Sequence, residues 1–229
     1  MDRKAALPDD RATGHDSMKE VRALIKTANQ RIVSWAQSAG IHVADTLLER
    51  GKAGWFDGIS VTMNNAYPAA ERLFYLVHAL GSIVIWSVAQ ELVQGLFDEL
   101  REAKRHKETE NERFERAVGC YSRFEIRSSS YAVTLLHDLD CAALTGRYSN
   151  FMRADLETMT EFHRSGQAPV WREFFLRWNM EVESGKRQIE PFESQPIPAF
   201  RPIQIEKQEI LQQQPRAQNE ERSERKGKL

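Results

Sequence analysis

The chain has 229 residues, 41% hydrophobic and 28% charged, which suffices for a sizeable core and favours one main domain over two. Its formal net charge of -1 excludes a protein that coats nucleic acid indiscriminately, because that mode neutralises many phosphates, although a local basic face is compatible with it. The two cysteines, Cys120 and Cys141, are too few for a secreted disulfide scaffold and lack metal-ligand spacing, so a reducing, cytoplasmic setting is expected, with no signal peptide in the polar N-terminus.

Residues 1–16 carry no apolar periodicity and are expected to be disordered. From about Ser17, the apolar residues Val21, Leu24, Ile25, Ala28, Ile32, Trp35 and Ala36 recur at three- and four-residue steps and predict a helix that Gly40 interrupts. Helix is expected to resume over 41–50 and a loop to follow over 51–58, after which the β-branched run ISVTM, residues 59–63, predicts a short strand. Pro68 stands where a first helical position belongs, opening a helix expected to reach about Ala117 and to end at Gly119. Within it, Leu73 to Ala89 holds no acidic or basic residue apart from His78. That stretch is shorter than the roughly 20 apolar residues a bilayer requires, so a central buried helix is expected and no membrane contact. Residues 101–116 mix Lys, Arg and Glu at every turn, as an exposed helix does; Lys104, Arg105 and Lys107 are its weaker candidates for touching a DNA backbone.

The stretch richest in candidate chemistry runs from Tyr121 to His163. Ser122 to Arg127 alternate, with Phe124 and Ile126 on one side and Arg123, Glu125 and Arg127 on the other, and so predict a half-buried strand. Three serines follow, then a helical pattern ending near Gly146, then a second helix for which Ser149 is the expected cap. Strand, helix, glycine-bearing turn and helix make up a ribbon-helix-helix-like unit, here embedded in a larger domain that is mainly α with one or two short strands. Two copies pairing such strands form a ribbon that fits the major groove of double-stranded DNA. Arg123, Glu125 and Arg127 would then be its reading face, and Ser149 and Asn150 would meet a phosphate through free backbone N–H groups. A homodimer follows, because a ribbon with one strand per chain is a two-fold object. The same alternation also fits the solvated face of an ordinary edge strand. A third arrangement pairs 59–63 with 122–127 inside one chain; if 59–63 forms the ribbon instead, its outer face carries the neutral Ser60, Thr62 and Asn64.

Beyond His163, Val170 to about Val182 predicts a helix whose Trp171, Phe174, Phe175 and Trp178 share one side and pack on the core. From Ser184 onward, four spaced prolines and a Gln-rich charged end predict a disordered tail. No phosphate loop, nucleophile elbow, HExxH or CxxC pattern is present, so no catalytic residue, cofactor or metal is expected. The exception weighed is HDLD, residues 137–140, since a His-Asp pair can begin a metal-dependent phosphohydrolase site. It would need further ligands, for which His106 and Asp155 can be nominated.

The segment FEIRSSSYAVTLLHDLDCAALTGRYSNFMRADLE, in a helical chain of this length with a polar tail, resembles the AcaB-type regulators encoded on conjugative plasmids and integrating conjugative elements. The resemblance implies ribbon-helix-helix DNA binding in the transcriptional control of transfer genes, with Arg123, Glu125 and Arg127 on the ribbon and Ser149 and Asn150 at the phosphate. The alternative is a non-enzymatic helical interaction protein, an accessory factor of a mobile element, with its strands paired internally.

Overall fold

The structure is a computed structural model and describes residues 10–48, 53–167 and 170–205. Helix α1 spans Asp10–Ser38, and its Ala28, Ile32 and Ala36 line up at four-residue steps with no solvent exposure. It begins seven residues before the expected Ser17, while residues 1–9 of the expected disordered N-terminus lie outside the described residues. Gly40 ends the helix in the left-handed region, at φ 82. There the Ile41 N–H donates to Ala36 O at 2.8 Å and the Gly40 N–H to Gln37 O at 3.0 Å, a Schellman closure that buries Ile41.

That closure turns the chain away from the helix axis, and the expected helix over 41–50 is instead strand β1, His42–Thr46. Strand β2, Gly54–Phe56, lies inside the expected loop, and β3, Ser60–Asn64, forms where ISVTM predicts it. The order is β1-β3-β2, with β3 parallel to β1 and antiparallel to β2. The β2–β3 turn is held by Asp57, whose Oδ1 accepts from the N–H of Ser60 at 2.7 Å and the Ser60 hydroxyl at 2.8 Å, with Gly58 at φ 85. Val61 and Met63 point inward from the central strand and are buried.

Pro68 directly precedes α2, Ala69–Arg105. This helix passes the length and hydropathy test for a membrane span, but 67% of its most apolar window is buried inside the protein. Ala89, at φ -145 and ψ 39, interrupts it. Before that point nearly every side from Leu73 to Trp86 is enclosed; after it only the stripe Val93, Phe97, Leu100 and Ala103 is. The chain leaves helical geometry at 106–110 and re-enters it as α3, Asn111–Asp138, which packs along α2 as the most extensive helix pair of the fold. A 3-10 turn at Ala142–Leu144 leads into α4, Thr145–Ser165, and α5, Trp171–Glu183, closes the helical body. Trp171 and Trp178 are buried and Phe174 and Phe175 half-buried, as their spacing predicts.

The architecture is thus mainly α with one small sheet, as expected, but its ribbon-helix-helix unit is overturned. Residues 122–127 are not a strand: they lie in the middle of α3. The reason is periodicity over a longer window. Phe114, Ala117, Val118, Tyr121, Phe124, Ser128, Ala132 and Leu135 form one buried stripe at three- and four-residue steps, and it runs straight through the six-residue alternation. The three serines are no linker either. Ser128, Ser129 and Ser130 are buried in the helix, and a Cβ on Gly81 of α2 would sit 2.1 Å from Ser128 O. Small residues on both sides are what let the two helices approach.

The tail expectation changes as well. Residues 191–205 have no helix or strand but lie along the body as an extended strap, with Phe192 and Ile205 buried; residues 206–229 lie outside the described residues.

Candidate functional site

The expected DNA-contact residues do not converge. Arg123 and Arg127 are exposed on α3, four residues apart and therefore on one side of the helix. Arg123 Nη2 donates to Cys120 Sγ at 3.0 Å, and Arg127 Nη2 to the Tyr131 hydroxyl at 3.2 Å. Neither makes an ion pair with a carboxylate among the described residues. Glu125, expected beside them on a ribbon face, points the other way. Ser149 and Asn150 belong to the second turn of α4, which starts at Thr145, so their backbone N–H groups are not a free helix start. Ser149 is buried, and Asn150 ties α4 to α5 by accepting from Trp178 Nε1 at 2.8 Å and donating to Asn179 Oδ1 at 2.9 Å. The weaker candidates are engaged in local packing: Lys104 lies over the Phe162 ring, Arg105 pairs with Glu102 at 2.9 Å, and Lys107 donates to Arg164 O.

Glu125 instead enters a polar cluster in the core where α2, α3 and α4 meet. Its Oε2 lies 2.7 Å from His78 Nε2, and the two side chains are 12% and 13% exposed. The other imidazole nitrogen, Nδ1, faces the Ser129 hydroxyl and the Tyr148 hydroxyl, each at 3.4 Å. His78 comes from the apolar run of α2, Glu125 and Ser129 are one turn apart on α3, and Tyr148 comes from the first turn of α4. Burial pushes the Tyr148 phenol far above its usual range, against a lowering hydrogen bond with Ser129 and with Glu125 and Asp155 adding to the rise. Tyr121 is raised for the same first reason, followed by the charges of Glu125 and Asp155. Both phenols therefore stay protonated and serve as donors or neutral partners.

Serine, histidine and carboxylate in line is the order of a nucleophilic triad, yet this arrangement has no route for a substrate. Ser129 is 1% exposed and Tyr148 is fully buried, whereas an attacking hydroxyl must meet a carbonyl and a set of oxyanion donors. Metal chemistry is also undersupplied. His78 and Ser82 are one turn apart, the spacing at which an HExxH helix presents two zinc-binding imidazoles. Here the sequence reads His78-Ala79-Leu80-Gly81-Ser82, with alanine where the general base would stand and serine where the second imidazole would. Ser82 turns its hydroxyl back to His78 O, at 3.2 Å. One imidazole and one carboxylate do not complete a tetrahedral shell, and no three His, Cys, Asp or Glu residues converge among the described residues. His137 and Asp138, the pair nominated for a phosphohydrolase, are exposed at the C-terminal end of α3.

Sequence reasoning missed the His78–Glu125 pair. The signal was present: a lone histidine in an otherwise uncharged helix needs a polar partner somewhere, and a glutamate on a helical apolar stripe can supply one. No protein family matches the chain, and neither a curated protein nor a solved structure matches it significantly.

Proposed function

We propose that the chain is a non-enzymatic helical interaction protein, as in the accessory-factor reading. One observation carries this: the expected ribbon strand, 122–127, is helix, and the alternative, 59–63, forms β3, which is paired on both edges within the same chain by β1 and β2. Among the described residues, neither of the two expected ribbon strands is therefore free to pair with a second copy. The sealed His78–Glu125 cluster supports a structural role for the constellation that, among the described residues, resembles catalytic machinery.

The regulator reading survives in a different form through one observation, the exposed Arg123 and Arg127 on a single face of α3. A helix face can enter a major groove as a ribbon can. Both readings are tested by retention of DNA fragments from around the protein's own gene, measured over a salt series from low ionic strength. The interaction reading expects no retention. Retention that weakens steeply with salt, and further in Arg123→Ala and Arg127→Ala, overturns it and assigns the DNA surface to α3.

A further inference from the structure

Between α5 and the end of the described chain, residues 191–205 behave like a ligand laid on a receptor. The strap leaves α5 through a turn in which Gly185 has φ 73. Phe192 is its first anchor, 5% exposed, placed against Tyr148 at 6.2 Å with the Arg153 guanidinium 4.2 Å over its ring. Three residues later Gln195 is clamped on both backbone groups by a single side chain. Its N–H donates to Thr134 Oγ1 at 2.9 Å, and its carbonyl lies 2.7 Å from the same oxygen. Phe200 then meets Trp35 of α1 at 6.1 Å. At the far end the Ile205 N–H donates to Asp57 O at 2.7 Å, beside the end of edge strand β2, and the Ile205 side chain is 2% exposed.

Phe192 and Ile205 enter the core and Ile197 and Phe200 pack against it, while the polar residues and prolines of the strap stay outside. Most residues between the two anchors are exposed or half-buried, and the strap contributes no rung to the sheet. Pro191, Pro196, Pro198 and Pro202 lack an N–H and preset an extended backbone, the economy by which proline-containing ligands dock without a large ordering cost. The receptor side is shaped for the strap: a Cβ on Gly58 would fall 1.9 Å from Ile203 O, so the bare glycine at the β2–β3 turn is what admits the strap backbone.

We propose that the groove running from Tyr148 past Thr134 and Trp35 to Gly58 is a binding site for an extended, proline-containing peptide with spaced aromatic and aliphatic anchors, and that residues 191–205 are its occupant in cis. This deepens the interaction-protein reading and rests on it. The strap and a partner segment compete for one groove, and because the strap is tethered its local concentration is of millimolar order, so a partner binds appreciably only when the strap is out.

The test uses the full chain. Phe192→Ala with Ile205→Ala removes the two end anchors without touching the groove. A fluorescein-labelled synthetic peptide of residues 190–205 is then titrated and followed by anisotropy. At least tenfold tighter binding to this variant than to the wild-type chain is expected, and Gly58→Val added to the variant should abolish it. No binding by a variant that keeps the wild-type far-UV circular dichroism overturns the proposal. A concentration-dependent dimer whose copies exchange straps also overturns it, because the occupant is then a second copy. If the variant does not fold, hydrogen exchange on the wild-type chain decides. Gln195 and Ile205 amides opening at least a hundredfold faster than Leu80 in α2 supports a displaceable strap, and exchange at the core rate refutes one. DNA retention in the salt series defeats the underlying reading separately, whatever the peptide does.

Discussion

Glu125→Leu separates the core assignment of this residue from a surface one. The carboxylate is 12% exposed and bonds His78 Nε2 at 2.7 Å. Its removal leaves a ring nitrogen without that partner in a nearly dry interface, a penalty of about 1–3 kcal/mol. His78→Leu leaves Glu125 in the same position and costs a similar amount or more, because a carboxylate tolerates burial without a partner less well than an imidazole. The double variant replaces a polar pair by two aliphatic side chains and should recover most of the loss, ending within about 1 kcal/mol of wild type. A double-mutant cycle by urea denaturation, read by circular dichroism, should therefore give a coupling of about 1–5 kcal/mol, the two single losses less that of the double variant. Had Glu125 been on a solvated ribbon face, the single substitution would move stability by no more than about 0.5 kcal/mol. A near-neutral single effect with additive energies would refute the assignment of the pair to the α2–α3 interface.

Gly81→Ala should destabilise the fold by about 1–3 kcal/mol or more in the same denaturation assay. The new Cβ meets Ser128 O, a backbone atom that cannot step aside, and this outweighs the roughly 1 kcal/mol that alanine gains in helix propensity. His163 is buried with neither ring nitrogen bonded, and burial first, then Lys104, lowers its pKa from 6.5 to about 4. Between those values the unfolded chain binds a proton that the folded one refuses, so its contribution to stability is complete above about pH 6.5 and falls on acidification toward pH 4, by up to roughly 3 kcal/mol. Denaturation at pH 7 and pH 4.5 should show that loss in wild type and a smaller one in His163→Phe. Asn150→Ala should cost about 1–2 kcal/mol by leaving the Trp178 indole N–H without its acceptor, while leaving any DNA affinity unchanged, since Asn150 lies in a helix interior and not at a phosphate.

Much of the helical framework was legible, and the misreadings share one physical cause. The stripe of Ala28, Ile32 and Ala36 and the aromatic side of α5 are local periodicities that tertiary packing leaves intact, and Gly40 stops α1 because the Schellman closure needs a left-handed residue there. The strand expected at 122–127 rests on six residues of alternation inside a 28-residue helix: within them Phe124 and Ile126 satisfy period two, and only a longer window adds Tyr121 and Ser128, which set the helical period. Residues 42–46 fail in the reverse sense. Their apolar residues fit a helix, but the parallel pairing with β3 that makes them a strand depends on residues 60–64, which no local window contains. The strap was unreadable for a similar reason. Its prolines do signal an extended backbone, but the partners that hold it, Thr134, Trp35 and Asp57, are scattered over three other parts of the chain.

Glu125, expected on a ribbon face, and the serine run, expected as a link, acquire one joint explanation from the packing of α2. Apolar side chains alone would let α3 slide along α2 by a turn, since a one-turn shift exchanges one aliphatic contact for another. Two non-interchangeable contacts prevent this: the close approach of Gly81 to Ser128, which only small residues permit, and the His78–Glu125 bond, which needs its partners opposite one another. Both contacts are made in the one arrangement of α2 against α3 that the structure has, and a one-turn slide would break each of them. Ser128 and Glu125 are then register-setting devices of the core. Arg123 and Arg127, on either side of Glu125 in sequence, face solvent because that register turns Glu125 inward, and any contact they make with a partner is made from the outside of a helix whose inner face is already committed.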